Sequence, residues 1–203
     1  LVGGLFFLGI LLAVGQMQKR KFMRMARMDA LTGILNRGAG QELGENLFVQ
    51  ATARSGGFCV ILFDLDFFKR INDSFGHGTG DWALKKVVDS LKSHIRNGDV
   101  FARIGGEEFL LILPGVDPGE ATSRLHLICS QLASRDLPTC GGDQRVTLSA
   151  GLACWPQQGQ QLDELLQAAD AALYEAKHAG RNRVCSLLPE VDTRHPSQQA
   201  AMR

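Results

Sequence analysis

One short apolar run constrains the fold of this chain more than any other feature. Residues 58–63 read FCVILF, and glycines at positions 56 and 57 precede the run. A continuous apolar stretch of this length, bounded by turn residues, is typical of a strand that is buried on both faces. Because both faces of such a strand must be covered, we expect a central strand in a sheet that is flanked by helices.

The rest of the chain alternates between helical and extended patterns. Residues 100–113 read strand, Gly-Gly break, strand, which predicts a β-hairpin. The apolar spacing of residues 82–95 suits an amphipathic helix, with Asp81 as its predicted N-cap. We expect an α/β (α+β) fold with a central, mostly antiparallel sheet. The other predicted elements are a helix that follows Arg37 and runs to about Arg54, a helix at 120–134, a strand at 146–155, and a helix at 162–179 that ends before Gly180.

Acidic residues gather at the ends of the predicted strands. Asp64 and Asp66 directly follow the apolar run, and Glu107 and Glu108 follow the glycine pair of the hairpin. Carboxylates on neighbouring strands can hold a hard cation between them, and Mg²⁺ prefers a few carboxylates together with substrate phosphate oxygens. Each feature alone is common as a helix cap or a hairpin tip. Their joint occurrence predicts metal-dependent phosphoryl or nucleotidyl transfer.

The first 28 residues have the pattern of a membrane attachment. Residues 1–15 carry no charge, but they are fewer than the roughly 20 residues of a spanning helix, so we interpret them as a truncated transmembrane helix. Residues 16–28 form a predicted basic linker or stalk helix, which either pairs with a second copy or lies on anionic headgroups. A secretory leader carries its positive charge before the apolar run, which disfavours that alternative. The basic flank predicts a catalytic domain in the cytoplasm, at a bacterial inner membrane.

Charge and cysteine content exclude several classes of function. The formal net charge is +1, so no global field attracts nucleic acid, and we expect no DNA or RNA partner. Five cysteines at wide, irregular spacing predict neither a disulfide framework nor a zinc site. Reduced thiols in a cytosolic domain are the simplest interpretation. Residues 189–203 are polar and are predicted to form a disordered tail.

Four ordered motifs resemble one known family. The segment FDLDFFKRINDSFGHGTGD at 63–81 resembles the nucleotide-binding segment of GGDEF domains, and RIGGEEF at 103–109 resembles their hairpin in its GGEEF form. DALTGILNR at 29–37 is similar to the motif that opens the domain, and AKHAGRNRV at 176–184 to the segment that closes it. The resemblance covers about residues 29–188. It implies a diguanylate cyclase whose fold resembles the palm of nucleotide cyclases and polymerases.

The resemblance also implies roles for the acidic residues. Asp64 and Glu107 are expected to hold Mg²⁺, or Mn²⁺ in its place, with help from the backbone carbonyl of Leu65. Asp64, Glu107 and Glu108 are the expected catalytic residues. Glu108 would assist either metal binding or deprotonation of the attacking 3′-hydroxyl. Asp66 shares the motif, but the resemblance does not define its role.

The resemblance also implies which residues bind the substrate. Asn72 and Asp81 would hydrogen-bond guanine, because adenine would leave Asp81 unpaired. The rings of two phenylalanines in the motif are predicted to lie in the core. Lys177 and Arg181, four residues apart at a helix end, are expected to share one face, although charge at a helix C-terminus would also explain them. The residues expected to bind phosphate are Phe67, Phe68, Lys69, Lys177 and Arg181.

The resemblance further implies that two copies act together. Each domain would bind one GTP, and a homodimer would join the two nucleotides into cyclic di-GMP with release of two pyrophosphates. Arg96 and Asp99 form an RxxD sequence that five residues separate from Gly105. This placement resembles the family's inhibitory product site, at which cyclic di-GMP would act as inhibitor. An ordinary turn at Asn97-Gly98 is the alternative interpretation.

Three other functions stay open at this point. The domain could be a catalytically inactive receptor for cyclic di-GMP, a membrane-anchored module that binds a partner protein, or a related cyclase that uses ATP. One departure from the family pattern concerns GAGQELGEN at 38–46, where a more basic or aromatic continuation is expected. It bears on the start of the first helix rather than on the acidic cluster.

Overall fold

The computed structural model describes residues 27–54, 56–134 and 146–187. The predicted membrane helix at 1–15, nearly all of the basic segment at 16–28 and the tail at 189–203 lie outside these residues. Those assignments therefore stay predictions. Within the described ranges, no helix is both long and apolar enough to cross a membrane.

Six strands form one sheet in the order β1-β3-β4-β2-β5-β6. Antiparallel pairings join β3 to β4, β4 to β2 and β2 to β5, whereas β1–β3 and β5–β6 are parallel. This confirms the predicted mostly antiparallel sheet, and every residue of β2 is buried as its apolar run predicts. The strands are β1 (Leu35–Asn36), β2 (Phe58–Leu65), β3 (Val100–Arg103), β4 (Glu108–Pro114), β5 (Leu148–Trp155) and β6 (Val184–Ser186).

Helices cover both faces of this sheet. Because side chains alternate along a strand, Phe63 and Leu65 pack into one core, and Val60 and Leu62 pack into another. The first core includes residues of α2, α3 and α4, and the second includes residues of α1 and α5. The helices are α1 (Arg37–Ala53), α2 (Phe68–Phe75), α3 (His77–Lys92), α4 (Pro118–Ser134) and α5 (Leu162–His178).

The segment at 38–46, which departs from the family pattern, packs closely on the sheet through two of its glycines. Helix α1 begins at Arg37, and the Asn36 side chain caps it by accepting a hydrogen bond of 3.0 Å from the N–H of Ala39. A Cβ atom at Gly40 would lie 2.5 Å from the Cβ of Ala102, and one at Gly44 would lie 2.5 Å from Cδ1 of Ile112. The glycines therefore allow α1 to pack closely on β3 and β4, and they do not prevent the helix from starting where we expected.

Helix α3 begins earlier than we predicted. Asp81 was expected to be its N-cap, but α3 starts at His77, directly after Gly76. Gly76 has a φ of +81°, a conformation that glycine adopts without steric cost, and the chain turns there between α2 and α3. The prediction that Asp81 caps the helix was wrong. Asp81 lies inside α3 with an exposed side chain.

Candidate active site

The carboxylates expected to hold a metal meet at one end of β2. Asp64 is near the last residue of this strand and is 8% exposed. Its partner in the β2–β4 pairing is Glu108. The backbone N–H of Leu65 then donates a 3.2 Å hydrogen bond to the carbonyl oxygen of Glu107. Strand pairing thus brings Asp64, Glu107 and Glu108 together, as their positions in the sequence suggested.

A lysine from helix α5 contacts this cluster. Lys177 Nζ lies 2.7 Å from Asp64 Oδ2. Burial raises the pKa of the Asp64 carboxyl, the ammonium of Lys177 offsets part of this, and the charge of Glu108 raises the pKa again. Burial likewise raises the pKa of Glu107, and the nearby charge of Asp64 adds to the effect. Both carboxyl groups therefore ionise less readily than exposed ones.

This arrangement suits a divalent cation. Its side chains offer only oxygen ligands, and the repulsion between their charges would fall if a cation lay between them. Among the described residues, no group of three or more His, Cys, Asp or Glu side chains is placed to hold a metal ion. Asp64 and Glu107 would therefore supply only part of a coordination shell. That fits Mg²⁺, which takes its other ligands from water and substrate phosphates.

Arg103 holds the glycine bend that carries Glu107. Its guanidinium donates hydrogen bonds of 3.1 Å to the carbonyl oxygen of Gly105 and 2.6 Å to that of Gly106. It also forms an ion pair of 3.1 Å with Asp29, the first residue of the DALTGILNR motif. The family resemblance gave no role to Arg103 or Asp29. The signal was available, because both residues belong to motifs that carried the family resemblance.

Asp66 is an internal anchor. It is 4% exposed. Its carboxylate accepts hydrogen bonds from the hydroxyl of Thr147 (2.7 Å), the hydroxyl of Ser149 (2.6 Å) and the backbone N–H of Asn182 (3.0 Å). The second aspartate of the motif thus ties β2 to β5 and to the turn that follows α5. Sequence alone did not define this role, because the donors are 81 to 116 residues away.

The two neighbouring phenylalanines face different environments. Phe68 is 8% exposed and lies in the core, as we expected, but Phe67 is 50% exposed, so the prediction for its ring was wrong. Phe67 has a φ of +58°, which turns the chain between β2 and α2 and directs this ring outward. The guanidinium carbons of Arg181 and Arg70 lie 4.7 Å and 5.4 Å from the centre of the Phe67 ring. Arg70 is not among the residues to which the motifs gave a role.

Arg181 reaches the site from a turn rather than from a helix. Helix α5 ends at His178, Gly180 has a φ of +109°, and the N–H of Arg181 donates a 3.0 Å hydrogen bond to the carbonyl oxygen of Ala176. This is the Schellman pattern of a helix end. The expectation that Lys177 and Arg181 share a helical face was therefore wrong. Lys177 contacts Asp64, and Arg181 contacts Phe67, so both still approach the same end of β2.

Comparisons with known proteins identify the family. The family model described as "Diguanylate cyclase, GGDEF domain" matches residues 26–183 of the chain.

The chain belongs to the GGDEF family.

Curated relatives of this GGDEF domain carry different names. Diguanylate cyclase DgcM of Escherichia coli (strain K12) is 39% identical over 159 residues, which cover 78% of this chain and 38% of the relative. Cyclic di-GMP phosphodiesterase NbdA of Pseudomonas aeruginosa is 38% identical over 162 residues, which cover 78% of this chain and 20% of the relative. The chain spans less than half of the length of the curated relatives that it matches here.

A solved structure has the same fold. The coiled coil and GGDEF domain of DgcB from Caulobacter crescentus, crystallised in complex with c-di-GMP, superimposes with a TM-score of 0.81 at 28% identity. The match covers 89% of this chain and 96% of that one.

The two residues expected to recognise guanine are close together on neighbouring helices of the GGDEF domain. Asn72 lies in α2 and Asp81 in α3, one residue after Gly80. A Cβ atom at Gly80 would lie 3.0 Å from Cγ of Asn72, so only glycine lets the Asn72 side chain pack against α3 here. In the described part of the chain, neither side chain has a hydrogen-bond partner. The exposed Lys69, expected to contact phosphate, lies in the first turn of α2.

The RxxD residues of the GGDEF domain are engaged with α4. Asp99 accepts hydrogen bonds of 2.8 Å from the backbone N–H of Arg96 and 2.6 Å from the Arg124 guanidinium, and its side chain is 5% exposed. The Arg96 guanidinium forms a 2.7 Å ion pair with Glu120. The Nη1 atom of Arg124 is buried and has no hydrogen-bond partner within the described ranges. Arg96 is thus exposed at this surface, whereas Asp99 is held mainly by the protein.

Proposed function

We propose that this GGDEF domain is a diguanylate cyclase that condenses two GTP molecules into cyclic di-GMP. The convergence of Asp64, Glu107 and Lys177 at one end of β2 carries this proposal. A site with two carboxylates and one ammonium suits a nucleoside triphosphate with its metal ion. The carboxylates can bind the metal ion, and the ammonium can bind the phosphates. The complex of DgcB with c-di-GMP supports the choice of product.

GTP would lie across the end of β2. Asn72 and Asp81 are free of hydrogen bonds to other described residues, so they can pair with the N–H groups and the carbonyl oxygen of guanine. The exposed Lys69, and the guanidinium of Arg181 that lies against the Phe67 ring, can contact the terminal phosphates. Backbone N–H groups at Phe67 and Phe68 would add to this binding.

Two copies of the domain are needed for the reaction that we propose. Each copy binds one GTP, and the 3′-oxygen of one nucleotide attacks the α-phosphorus of the other. The new O3′–P bond replaces the bond between the α-phosphorus and the β-phosphate oxygen, and pyrophosphate leaves. The same exchange in the opposite direction closes the ring and releases the second pyrophosphate. One half-site alone would bind GTP but would not turn it over.

The protein contributes charged side chains that would position the metal ion and the phosphates. Asp64 and Glu107 would hold a divalent ion, which we propose is Mg²⁺, and that ion would supply Lewis-acid activation of the phosphate. Lys177 offers a fixed positive charge close to the phosphates. Glu108 lies opposite Asp64 at the exposed start of β4, where it could accept the proton of the 3′-hydroxyl or support the metal ion.

Incubation of the chain with GTP and Mg²⁺, with identification of the product by mass spectrometry, tests the proposal. Cyclic di-GMP and two equivalents of pyrophosphate are expected. Asp64→Ala and Glu107→Ala are each expected to reduce the rate by at least about 100-fold, because each removes a metal ligand. Asp89→Ala, at an exposed position on α3, is the matched control. Full activity of either active-site variant would refute the metal assignment.

The same assay separates the competing functions. An inactive receptor would bind cyclic di-GMP but release no pyrophosphate, and a partner-binding module would show no Mg²⁺-dependent turnover at all. With ATP added to the assay, an ATP cyclase would make cyclic di-AMP, whereas recognition of guanine through Asp81 predicts that ATP has little effect on the synthesis of cyclic di-GMP. Detection of cyclic di-AMP instead of cyclic di-GMP would overturn the guanine assignment.

We also propose that Arg96 and Asp99 form a product-inhibition site. The exposed guanidinium of Arg96 can grip phosphate or guanine bidentately. Cyclic di-GMP is therefore expected to inhibit turnover, and Arg96→Ala is expected to relieve this inhibition without a loss of basal rate. Unchanged inhibition in the variant would exclude this role.

Attachment to the membrane is a further part of the proposal. The uncharged residues 1–15 and the basic flank at 16–28 support a cytoplasmic catalytic domain that is held at the inner membrane. Fractionation of cells that express the chain tests this. Recovery in the membrane fraction after a carbonate wash is expected, and recovery in the supernatant would contradict it.

A further inference from the structure

Two turns in strained conformations meet beside Asp66. Among the described residues, three that are not glycine have positive φ, namely Phe67 (+58°), Arg181 (+63°) and Asn182 (+46°). Such angles are uncommon for residues with a side chain, and they persist only where the surroundings enforce them. Phe67 directly follows Asp66, and the N–H of Asn182 donates to the Asp66 carboxylate. The strain is therefore concentrated at one point, next to the site described above.

Two arginine guanidinium groups lie close to the Phe67 ring. The guanidinium carbon of Arg181 lies 4.7 Å from the ring centre and that of Arg70 lies 5.4 Å away. Each distance is within the range of a cation–π contact. Neither arginine forms a salt bridge within the described ranges, although like charges repel when they share one ring. An anion bound beside the ring would remove this repulsion.

We infer that Phe67 is a positioning residue, whose ring orients the Arg181 guanidinium toward the terminal phosphates of the bound nucleotide. Asp66 fixes the backbone of the turn that carries Arg181, and the Phe67 ring fixes the end of its side chain. A free arginine would lose much side-chain entropy when it contacts phosphate, and a guanidinium that is already stacked loses less. This inference rests on the proposed function, since it needs a triphosphate at the end of β2.

From the sequence alone we expect a buried ring at position 67, which would contribute only to the core. A half-exposed ring in a strained conformation is a poor core residue, because half of its apolar surface stays in water. Its contact with two arginines gives the exposed ring a function that a place in the core would not give.

Equilibrium binding of 3′-deoxy-GTP and of GMP, measured by calorimetry in Mg²⁺, tests the inference. 3′-Deoxy-GTP has all three phosphates but lacks the attacking hydroxyl, so no turnover interferes. Phe67→Leu is expected to weaken 3′-deoxy-GTP binding by about two- to fivefold, the range for a cation–π contact at a half-exposed ring. Binding of GMP, which lacks the terminal phosphates, is expected to be unchanged. Phe67→Tyr retains a ring and is expected to bind like the unaltered chain.

A double-mutant cycle separates positioning from a general structural effect. Arg181→Ala is expected to weaken 3′-deoxy-GTP binding, and Phe67→Leu is expected to add little in that background, because its effect passes through Arg181. Tyr174→Leu is the matched control, since Tyr174 is a similarly exposed ring on α5 that contacts His178 instead of an arginine.

Additive effects in the cycle, or equal weakening of GMP, would overturn the positioning role and leave the proposed function intact. If the unaltered chain fails to bind 3′-deoxy-GTP, the proposed function and this inference fall together. The two failures are therefore distinguishable in one set of measurements.

Discussion

Lys177 Nζ lies 2.7 Å from Asp64 Oδ2, so an ammonium group from the end of α5 contacts the carboxylate at the end of β2. The Lys177 side chain is 31% exposed, and that of Asp64 is 11% exposed. The contact is thus partly protected from water, and it can be exchanged for a contact with an incoming anion. Lys177 can form an ion pair with Asp64 in the free domain and with a phosphate group of the bound nucleotide.

Lys177→Met tests this dual role. The variant keeps an apolar stem of similar length but loses the charge, so KM for GTP is expected to rise by about tenfold or more, as for a lost charge-assisted hydrogen bond. Initial rates across a range of GTP concentrations give the value. Lys92→Met, at the exposed end of α3, is the control. An unchanged KM would mean that Lys177 serves only the structure.

Glu107→Gln is expected to stabilise the metal-free domain at neutral pH. The raised pKa of Glu107 means that the folded domain holds this proton at pH values where the unfolded chain has released it. The free energy of unfolding therefore falls as pH rises from the ordinary glutamate pKa through the raised value. Glutamine cannot ionise, so it removes this loss in the free energy of unfolding. The loss is below about 1 kcal/mol because Glu107 is only half-buried.

Urea unfolding in the presence of EDTA, at about pH 7 and about pH 3.5, measures this effect on either side of the glutamate range. The gain of the Gln variant is expected at the higher pH and is expected to vanish at the lower one. A gain of equal size at both values, or a loss at the higher one, would argue against an electrostatic origin.

Arg103→Ala is expected to destabilise the domain by about 1–3 kcal/mol, because two carbonyl oxygens of the bend and the Asp29 carboxylate lose a charged donor. The Arg103 side chain is only 15% exposed, and its hydrogen bonds hold the bend at Gly105 and Gly106. Turnover is expected to fall as well, since this bend carries Glu107. Arg27→Ala removes a more exposed ion pair with Glu42 and is expected to cost less than about 1 kcal/mol. Equal losses in the two variants would show that Arg103 has no special role at the bend.

Glu120→Gln is expected to strengthen inhibition by cyclic di-GMP about two- to fivefold, because the ion pair of Glu120 with Arg96 competes with the ligand for the same guanidinium. Inhibition constants from initial rates in the presence of added cyclic di-GMP measure the effect. Basal turnover is expected to be unchanged, since Glu120 lies on α4, away from the end of β2. Weaker inhibition would instead place Glu120 in direct contact with the ligand.

The prediction of the fold succeeded where local pattern and burial agree. The apolar run at 58–63 had to be a buried strand, and the glycine pair at 105 and 106 had to be a bend. Helix α2 and the true start of α3 escaped prediction, because a single glycine at position 76 separates two helices whose combined pattern resembles a loop. Sequence patterns show which residues prefer water. They show less clearly where a residue with positive φ ends one helix and begins another.

The composition of the site was readable from the motifs, but its internal connections were not. The resemblance singled out Asp64, Glu107, Lys177 and Arg181, yet it indicated neither the exposed ring of Phe67 nor the anchoring role of Asp66. Hydrogen bonds from Thr147 and Asn182 to Asp66 cross 81 and 116 residues. No local pattern encodes contacts between residues that are so far apart in the chain.

The amino-acid sequence by itself determined the family, the buried central strand, the acidic hairpin and the residue types that can meet a nucleotide, because each of these follows from local order and hydrophobicity. Only the tertiary structure decided which charges meet. It placed the Lys177 ammonium on Asp64 and the Arg181 guanidinium on the Phe67 ring. The physical reason is that ion pairs and ring contacts depend on distances of a few ångströms, and the packing of α5 and its turn against the end of β2 sets those distances.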